Sequence, residues 1–208
     1  MNRKFVSNSN YVLRKILNNN DYKDVTKDFI EAILDIKIKE IKINPYLKEK
    51  EKNLPKEENF GIVDVRIKTI EDEELNVGIQ FIDGLYIQTK MLMYYAQIHL
   101  NQLEHEDNRK YAKTITINLL DFNYYNSEEY LKRIKIETKE KYVKEELEFY
   151  VLELPKYKSK TNIDKKEQWV AYLKGGTKQE IGKIKDSNQY IRLLDKLLEK
   201  YWIEEKME

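Results

Sequence analysis

Asp64, Gly78 and Gln80 are the residues whose types and spacing point most directly to chemistry. Apolar and polar residues alternate around Asp64 in VDVRIK and again in LNVGIQ, which ends at Gln80. Alternation with a period of two predicts two strands, and the mostly acidic stretch at 69–74 supplies a turn between them. Such a hairpin places Asp64 opposite, or diagonal to, Gly78 and Gln80. A carboxylate beside an amide on a sheet face is where a metal-dependent nuclease would hold its ion, and Gly78 stands where such a site would have a second carboxylate.

The same three residues also have an ordinary interpretation. Asp64 could lie on a solvent-exposed strand face and pair with Arg66 or Lys68, and Gln80 could be a polar surface residue. Gly78 is harder to explain, because glycine weakens a strand interior by about 0.5–1 kcal/mol relative to alanine. The strand pattern supplies no packing reason for it.

Other acids could take the place of a carboxylate at position 78. Asp83 has the wrong parity to share the face of Gly78, and the acids at 71–74 lie too far along the hairpin. We therefore do not expect either to complete the site.

The composition limits the class of protein. Charged residues make up 36% of the 208, but 38 basic residues nearly cancel 37 acidic ones, so a nucleic-acid contact must come from a local patch. The absence of cysteine excludes disulfides, thiolate zinc sites and cysteine nucleophiles, and it fits a reducing compartment. No segment reaches the ~20 apolar residues that span a bilayer, so we expect a cytoplasmic protein without membrane contact.

Several common sites are excluded by their motifs. His99 and His105 are six residues apart, which is not a metal-ligand spacing such as i, i+4. The six glycines form neither GxGxxG nor GxxxxGK[ST], and GxSxG is absent, so a nucleotide cradle and a serine-hydrolase elbow are ruled out. Asp64 is left as the most informative acid.

The elements that must position Asp64 follow from the rest of the chain. Their order predicts an α/β fold with a central mixed β-sheet flanked by helices. In the long helix that follows the hairpin, Leu85, Leu92, Tyr95 and His99 follow helical spacing, so we expect this side to pack on the sheet. The predicted helices are residues 11–17, 24–34 and 85–103, and the predicted strands are residues 36–43, 62–68, 75–82, 114–120, 130–138 and 149–154.

The C-terminal part is predicted to be helical. Asp164 caps a helix containing Trp169 that ends at Gly175, and a long amphipathic helix runs over about residues 187–202. We predict a domain at 1–160 and a C-terminal helical extension at 161–208, packed on it or linked to it. An exposed apolar stripe on the last helix would serve a homodimer.

Two local predictions concern the N-terminal half. Asp24 or Thr26 is expected to cap the second helix. Residues 46–59 form a charged connector, which is either a solvated loop or a flap near a substrate.

Two segments resemble the sheet of a known family. GIVDVRIK, residues 61–68, resembles the strand with the metal-binding aspartate in the recombination-promoting nuclease and transposase group of the PD-(D/E)XK superfamily, and that aspartate falls on Asp64. LNVGIQ, residues 75–80, resembles its INIEMQ strand, which has E-x-Q in place of E-x-K. Further segments agree in order over residues 5–175: NYVLRKIL at 10–17, DFIEAIL at 28–34, Lys90 and Tyr94 of an R-x-x-x-Y pattern, ITINLLDFNYY at 115–125, and LELPKYK at 152–158 followed by Trp169.

The resemblance implies a restriction-endonuclease-like core and a Mg²⁺-dependent endonuclease that acts on DNA. The catalytic positions it carries over are Asp64, as the metal ligand, and Gln80. Two positions of the family pattern are degenerate, since its helix acid is Asn10 here and its strand glutamate is Gly78. Mg²⁺ is bound mainly through one or two carboxylates, so Asp64 alone would hold the ion weakly.

Three functions follow as hypotheses. The chain is a DNA endonuclease with weak, conditional or lost cleavage, a non-catalytic homologue that binds DNA or protein, or an oligomerisation module built on its last helix. Metal-dependent nicking that requires Asp64 distinguishes the first, whereas metal-independent DNA binding favours the second.

Overall fold

The computed structural model describes residues 7–44, 63–82, 84–105, 112–136 and 147–205. In these ranges a six-stranded mixed sheet has the order β1-β2-β3-β4-β6-β5. The predicted α/β class, with helices around a central sheet and at the C-terminus, is confirmed. The strands are β1 (Ile38–Ile43), β2 (Val63–Thr69), β3 (Glu74–Phe81), β4 (Lys113–Leu120), β5 (Leu131–Ile136) and β6 (Leu147–Glu153), and the helices are α1 (Ser7–Leu17), α2 (Lys23–Leu34), α3 (Ile87–His105), α4 (Lys165–Lys174), α5 (Lys178–Ser187) and α6 (Gln189–Glu205).

The predicted hairpin forms the centre of the sheet. β2 and β3 are antiparallel, and Asp64 lies directly opposite Gly78, as the alternation predicted. On the other side of β3, β4 runs parallel and places Thr116 beside Gly78. β3 and β4 are connected through α3, as a parallel pair requires a crossover.

One face of the sheet is apolar and is covered by most of the helices. Val65, Val77 and Ile117 are fully buried there, in one hydrophobic cluster with residues of α1, α2, α4 and α6. Phe29 of α2 meets Trp169 of α4 edge to face, with ring centroids 5.3 Å apart. The cluster therefore joins N-terminal and C-terminal helices on the same side of the sheet, and the division of the chain at residue 160 stays a prediction.

Buried polar contacts tie the same helices together. Asp28 of α2 accepts a hydrogen bond from Trp169 Nε1 at 2.9 Å and forms an ion pair with Lys165 of α4 at 2.6 Å. Asn188, between α5 and α6, donates to the same carboxylate at 3.4 Å. Asp28 is thus a buried charge with partners from two other parts of the chain.

The predicted helix ends are correct in α4 and wrong in α2. Asp164 caps α4 and forms a capping box with Glu167, and Gly175 ends the helix with a φ of 81°. Neither Asp24 nor Thr26 caps α2, because the chain enters it from a 3₁₀ turn at Asn20–Tyr22. The Thr26 hydroxyl instead donates to the Leu17 carbonyl at 2.7 Å.

Helix α3 packs on the opposite, polar face of the sheet. The prediction placed Leu85 and Leu92 against the sheet, but they are 72% and 51% exposed. The side that packs is rotated and is formed by Ile87, Met91, Tyr94, Tyr95 and Ile98. α3 carries apolar residues on both sides, so spacing alone does not decide which side is buried. Among the described helices, none has the length and apolar character to cross a bilayer.

Two further predictions cannot be compared with the structure. The charged connector at 46–59 lies outside the described residues, and so does Asp83. α5 was not predicted, and of its residues only Ile184 is buried.

Candidate functional site

The face of the sheet beneath α3 carries a buried layer of polar side chains. Alternation puts every second residue of β2, β3 and β4 on this face, and α3 covers most of them. Buried amides and hydroxyls are unusual for a sheet core and require partners. The residues of this layer are Asp64, Arg66, Asn76, Gln80, Thr114, Thr116 and Asn118.

Asp64 is the buried carboxylate of this layer. It is 1% exposed, and neither of its oxygens has a hydrogen-bond partner of good geometry among the described residues. Burial raises the pKa of the Asp64 carboxyl to about 6. The interpretation of Asp64 as an exposed, paired strand residue is therefore wrong.

The basic neighbours of Asp64 are engaged elsewhere. Lys68 pairs with Asp72 in the hairpin turn at 3.1 Å, and Arg66 pairs with Glu74 at 2.7 Å. The charge of Arg66 lowers the pKa of the Asp64 carboxyl, but by less than burial raises it. The carboxylate is left without a close cation from these two strand residues.

Asparagine amides surround the Asp64 carboxylate instead. Asn44 at the end of β1, Asn76 on β3 and Asn101 on α3 each lower its pKa. None of them forms a well-aligned hydrogen bond with it, and Asn76 Oδ1 and Asn101 Nδ2 also have no partner among the described residues. The strand parity of Asn76 was a signal for its place beside Asp64, whereas Asn44 and Asn101 come from elements whose approach the sequence does not indicate.

Gly78 has a packing reason that the strand pattern did not reveal. A Cβ added at Gly78 would lie 2.0 Å from Ile98 Cδ1 and 3.3 Å from Ile98 Cγ1. The backbone at Gly78 does not require glycine, since its φ is not positive. Ile98 of α3, which is fully buried, therefore occupies the space of any side chain at position 78.

Gln80 lies on the same face of the sheet as Asp64, but its hydrogen bond points away from Asp64, toward β4. Its Nε2 donates to Asn118 Oδ1 on β4, and Asn118 Nδ2 donates to the Tyr150 carbonyl at 3.1 Å. Gln80 Oε1 has no partner among the described residues. The interpretation of Gln80 as a surface residue is wrong, and its catalytic role stays a prediction.

The remaining candidates do not add a carboxylate to the described site. Asn10 lies in α1, and its side chain is outside the described part. Of the turn acids, Glu74 is held by Arg66, and Asp72 pairs with Lys39 and Lys68. These pairs agree with the expectation that the turn acids do not complete the site.

Gln102 fixes α3 over the polar layer. Its Oε1 accepts from Arg66 Nη1 at 2.8 Å and from the Ala112 backbone at 2.9 Å. Its Nε2 donates to Thr114 Oγ1 at 2.9 Å. One side chain of α3 thus connects β2 with β4, and sequence reasoning did not identify it.

The segment at 152–158, which resembles the family, supports the loop that follows β4. Glu153 is buried and accepts from the backbone of Tyr124 and of Tyr125, the latter at 3.0 Å. Lys156 donates to Glu153 at 2.7 Å and to the Tyr125 carbonyl at 2.5 Å. Glu153 and Lys156 therefore position the backbone at Tyr124 and Tyr125. Trp169, the last residue of the resemblance, is held by Asp28 on the other side of the sheet.

The carboxylate of Asp64 could hold one hard cation weakly. Its Oδ1 and Oδ2 are unpartnered among the described residues, and hard cations such as Mg²⁺ prefer oxygen ligands. Within the described ranges, no group of three or more histidine, cysteine or acidic side chains could hold a metal. His99 is occupied otherwise, since its Nδ1 lies 3.1 Å from Thr114 Oγ1 and its ring stacks on Tyr95.

Comparison with known proteins identifies the family. A family model described as PD-(D/E)XK nuclease family transposase matches residues 8–208. No curated protein and no solved structure gives a significant match. The central mixed sheet, with helices on both faces and at the C-terminus, is consistent with a restriction-endonuclease-like fold. The chain therefore belongs to the PD-(D/E)XK nuclease family transposases.

Proposed function

We propose that this chain is a DNA-engaging member of its family in which phosphodiester hydrolysis is lost. The observation that carries the proposal is the pairing of Asp64 with Gly78, which leaves one carboxylate where the family resemblance expects two. The family makes DNA the expected partner. Cytoplasmic location and a homodimer through α6 remain predictions.

The missing carboxylate has a large expected effect on rate. In this class of nuclease, a divalent metal generates hydroxide and neutralises charge at the scissile phosphate. If the second carboxylate contributes about 3–4 kcal/mol through the metal, its loss slows cleavage about a hundred- to a thousandfold. Binding to the DNA backbone depends on basic side chains and survives such a loss.

A second candidate function is weak metal-dependent cleavage by the same site. The unpartnered oxygens of Asp64 and Asn76 favour it, because buried polar atoms ordinarily have partners and these could be satisfied by a cation. A divalent cation held there would neutralise charge on a phosphate. Mg²⁺ is the cation we expect.

A combined binding and cleavage assay tests the proposal. The wild type, Asp64→Asn and Asp72→Asn are compared by gel shift of a labelled duplex, in EDTA and in Mg²⁺, and by nicking of supercoiled plasmid. Asp72 is the matched control, because it lies in the same hairpin but is 61% exposed in the turn. We expect all three proteins to retard the duplex in EDTA and to leave the plasmid intact.

Two results would count against the proposal. Nicking that requires Mg²⁺, disappears in Asp64→Asn and persists in Asp72→Asn would replace it with the second candidate. Failure of the folded wild type to retard any duplex or single strand would remove DNA engagement altogether.

A further inference from the structure

We propose that Ile98 determines whether the position opposite Asp64 can carry a side chain, and that Gly78 and Ile98 form a matched pair. The inference rests on the proposed function, since it explains how the second carboxylate is excluded. It adds that replacing Gly78 alone cannot restore an acid at this position. Two positions on different elements must change together.

A side chain at position 78 would clash with Ile98. An added Cβ at Gly78 would lie 2.0 Å from Ile98 Cδ1, well inside any contact that real side chains make, and 3.7 Å from Thr116 Cγ2. The conflict is thus with one methyl group of α3, and the neighbouring strand is at ordinary contact distance. Glutamate at position 78 would have to extend through the same volume.

Ile98 has little room to move away from Gly78. It is fully buried among Ile82, Tyr95, Leu120 and Phe149 in the hydrophobic cluster beneath α3. Protein interiors are close-packed, so a displaced methyl group needs a new cavity or a shift of the helix.

Hydrogen bonds hold α3 at this level of the sheet. The Ile98 carbonyl accepts a hydrogen bond from Asn76 Nδ2 at 3.2 Å, two residues before Gly78 on the same strand. One turn further along the helix, Gln102 is bonded to Arg66 and Thr114. These contacts fix the height of Ile98 over Gly78.

The backbone conformation does not explain the glycine at position 78. Gly175 is the described glycine with a positive φ, and Gly78 has an ordinary strand conformation. Any residue could adopt the backbone of Gly78 if Ile98 were smaller. Space alone therefore requires the glycine.

A volume-exchanging mutant cycle tests the pair without any assay of activity. Ile98→Val deletes the Cδ1 atom, and Gly78→Ala adds a Cβ in its place, so the double variant conserves volume. We expect Gly78→Ala to lower the Tm by about 3–8 °C and Ile98→Val by about 2–4 °C, while Gly78→Ala/Ile98→Val returns to within about 2 °C of the wild type. Gly84→Ala is the control, because its Cβ would meet nothing within 4 Å.

Two outcomes of the mutant cycle would contradict the pairing of Gly78 with Ile98. If the Tm losses of the two single variants add in the double variant, Gly78 and Ile98 are independent and the proposal is wrong. A Gly78→Ala protein as stable as the wild type would contradict it equally.

A second arm tests whether position 78 can hold an acid of the site. Gly78→Glu is compared with Gly78→Glu/Ile98→Ala by titration calorimetry with Mg²⁺. We expect the double variant to fold and to bind Mg²⁺ at least about tenfold more tightly than the wild type, and Gly78→Glu alone to lose Tm without gaining affinity. Equal Mg²⁺ affinities in the wild type and the folded double variant would overturn the assignment of position 78 to the site.

Failure of this inference is distinguishable from failure of the proposed function. The cycle uses thermal unfolding and metal affinity of the variants, whereas the proposed function depends on DNA binding and nicking by the wild type. Mg²⁺-dependent nicking by the wild type would remove the proposed function and leave the cycle interpretable.

Discussion

Two buried aspartates lie on opposite sides of the same sheet, Asp28 on helix α2 and Asp64 on strand β2, and their surroundings differ. Asp28, on the apolar side, has Trp169, Lys165 and Asn188 as partners. Asp64, beneath α3, is at least as buried and has no well-aligned partner in the described part of the chain.

The difference separates a charge that stabilises the fold from one that does not. A buried carboxylate with cationic and N–H partners recovers much of its lost hydration, whereas an unpartnered one does not. Removing Asp28 breaks well-aligned contacts, whereas removing the charge of Asp64 relieves a burial that its asparagine neighbours only partly offset, so the two substitutions should change stability in opposite directions. This expectation can be tested in order of decreasing effect.

The largest effect is expected from Asp28→Ala. Loss of this carboxylate leaves Trp169 Nε1 without its partner in the core and should lower the free energy of unfolding by about 3–5 kcal/mol. Chemical denaturation measures it. Asp24→Ala, at an exposed position in the first turn of the same helix, is the control, and an equal loss there would show that the Asp28 contacts are not responsible.

A smaller effect of opposite sign is expected from Asp64→Asn. The folded-state pKa of about 6 lies above the ordinary value of 3.8, so the folded protein holds the proton more tightly. Stability from this group is complete below about pH 4 and is lost as the pH rises to about 6. At neutral pH, Asp64→Asn should therefore raise the free energy of unfolding by up to about 3 kcal/mol.

Denaturation of the wild type and Asp64→Asn across this pH range checks both the direction of the stability difference and the pH range in which it appears. The difference between the two proteins should be near zero in acid, grow through the titration of Asp64 and then stay constant. Asp28→Asn serves as the comparator and should be destabilising at neutral pH. A destabilised Asp64→Asn protein at neutral pH would mean that Asp64 has stabilising partners after all.

Trp169→Phe removes one partner of Asp28 and should have an intermediate effect on the free energy of unfolding. The ring can still pack near Phe29, but the hydrogen bond to Asp28 is lost, and we expect a loss of about 1–2 kcal/mol. In an Asp28→Asn background the same substitution should have a smaller effect. Equal effects in both backgrounds would show that the hydrogen bond contributes nothing.

The smallest effect is expected from Mg²⁺ itself. If Asp64 holds the ion, Mg²⁺ at ten times its Kd raises the free energy of unfolding of the wild type by about 1.4 kcal/mol. Asp64→Asn should lose this response and Asp28→Asn should keep it, as measured by Tm with and without the ion. A response of the same size in Asp64→Asn would place the ion elsewhere.

Much of the sheet could be predicted from the sequence, because its information is local. The alternation in β2 and β3 and the turn between them are sufficient to pair Asp64 with Gly78. The capping box at Asp164 and the end of α4 at Gly175 are equally local. The same kind of signal was present for α5, since Thr177 caps it by accepting from the Glu180 backbone.

The state of the site could not be predicted, because it depends on α3. Alternation assigns Asp64 to a polar face but does not say whether that face is covered. α3 has apolar residues on two sides, and only the packed fold shows that Ile98 faces Gly78 while Leu92 faces solvent. The burial of Asp64 and the reason for Gly78 both follow from this helix.

The partners of Asp28 have a consequence for synthesis of the chain. Trp169 and Asn188 are 141 and 160 residues away in sequence, so α2 leaves the ribosome long before them. Until then the buried carboxylate of Asp28 lacks these two partners. The apolar cluster around α2 can therefore be completed only once α4 and α6 have been synthesised.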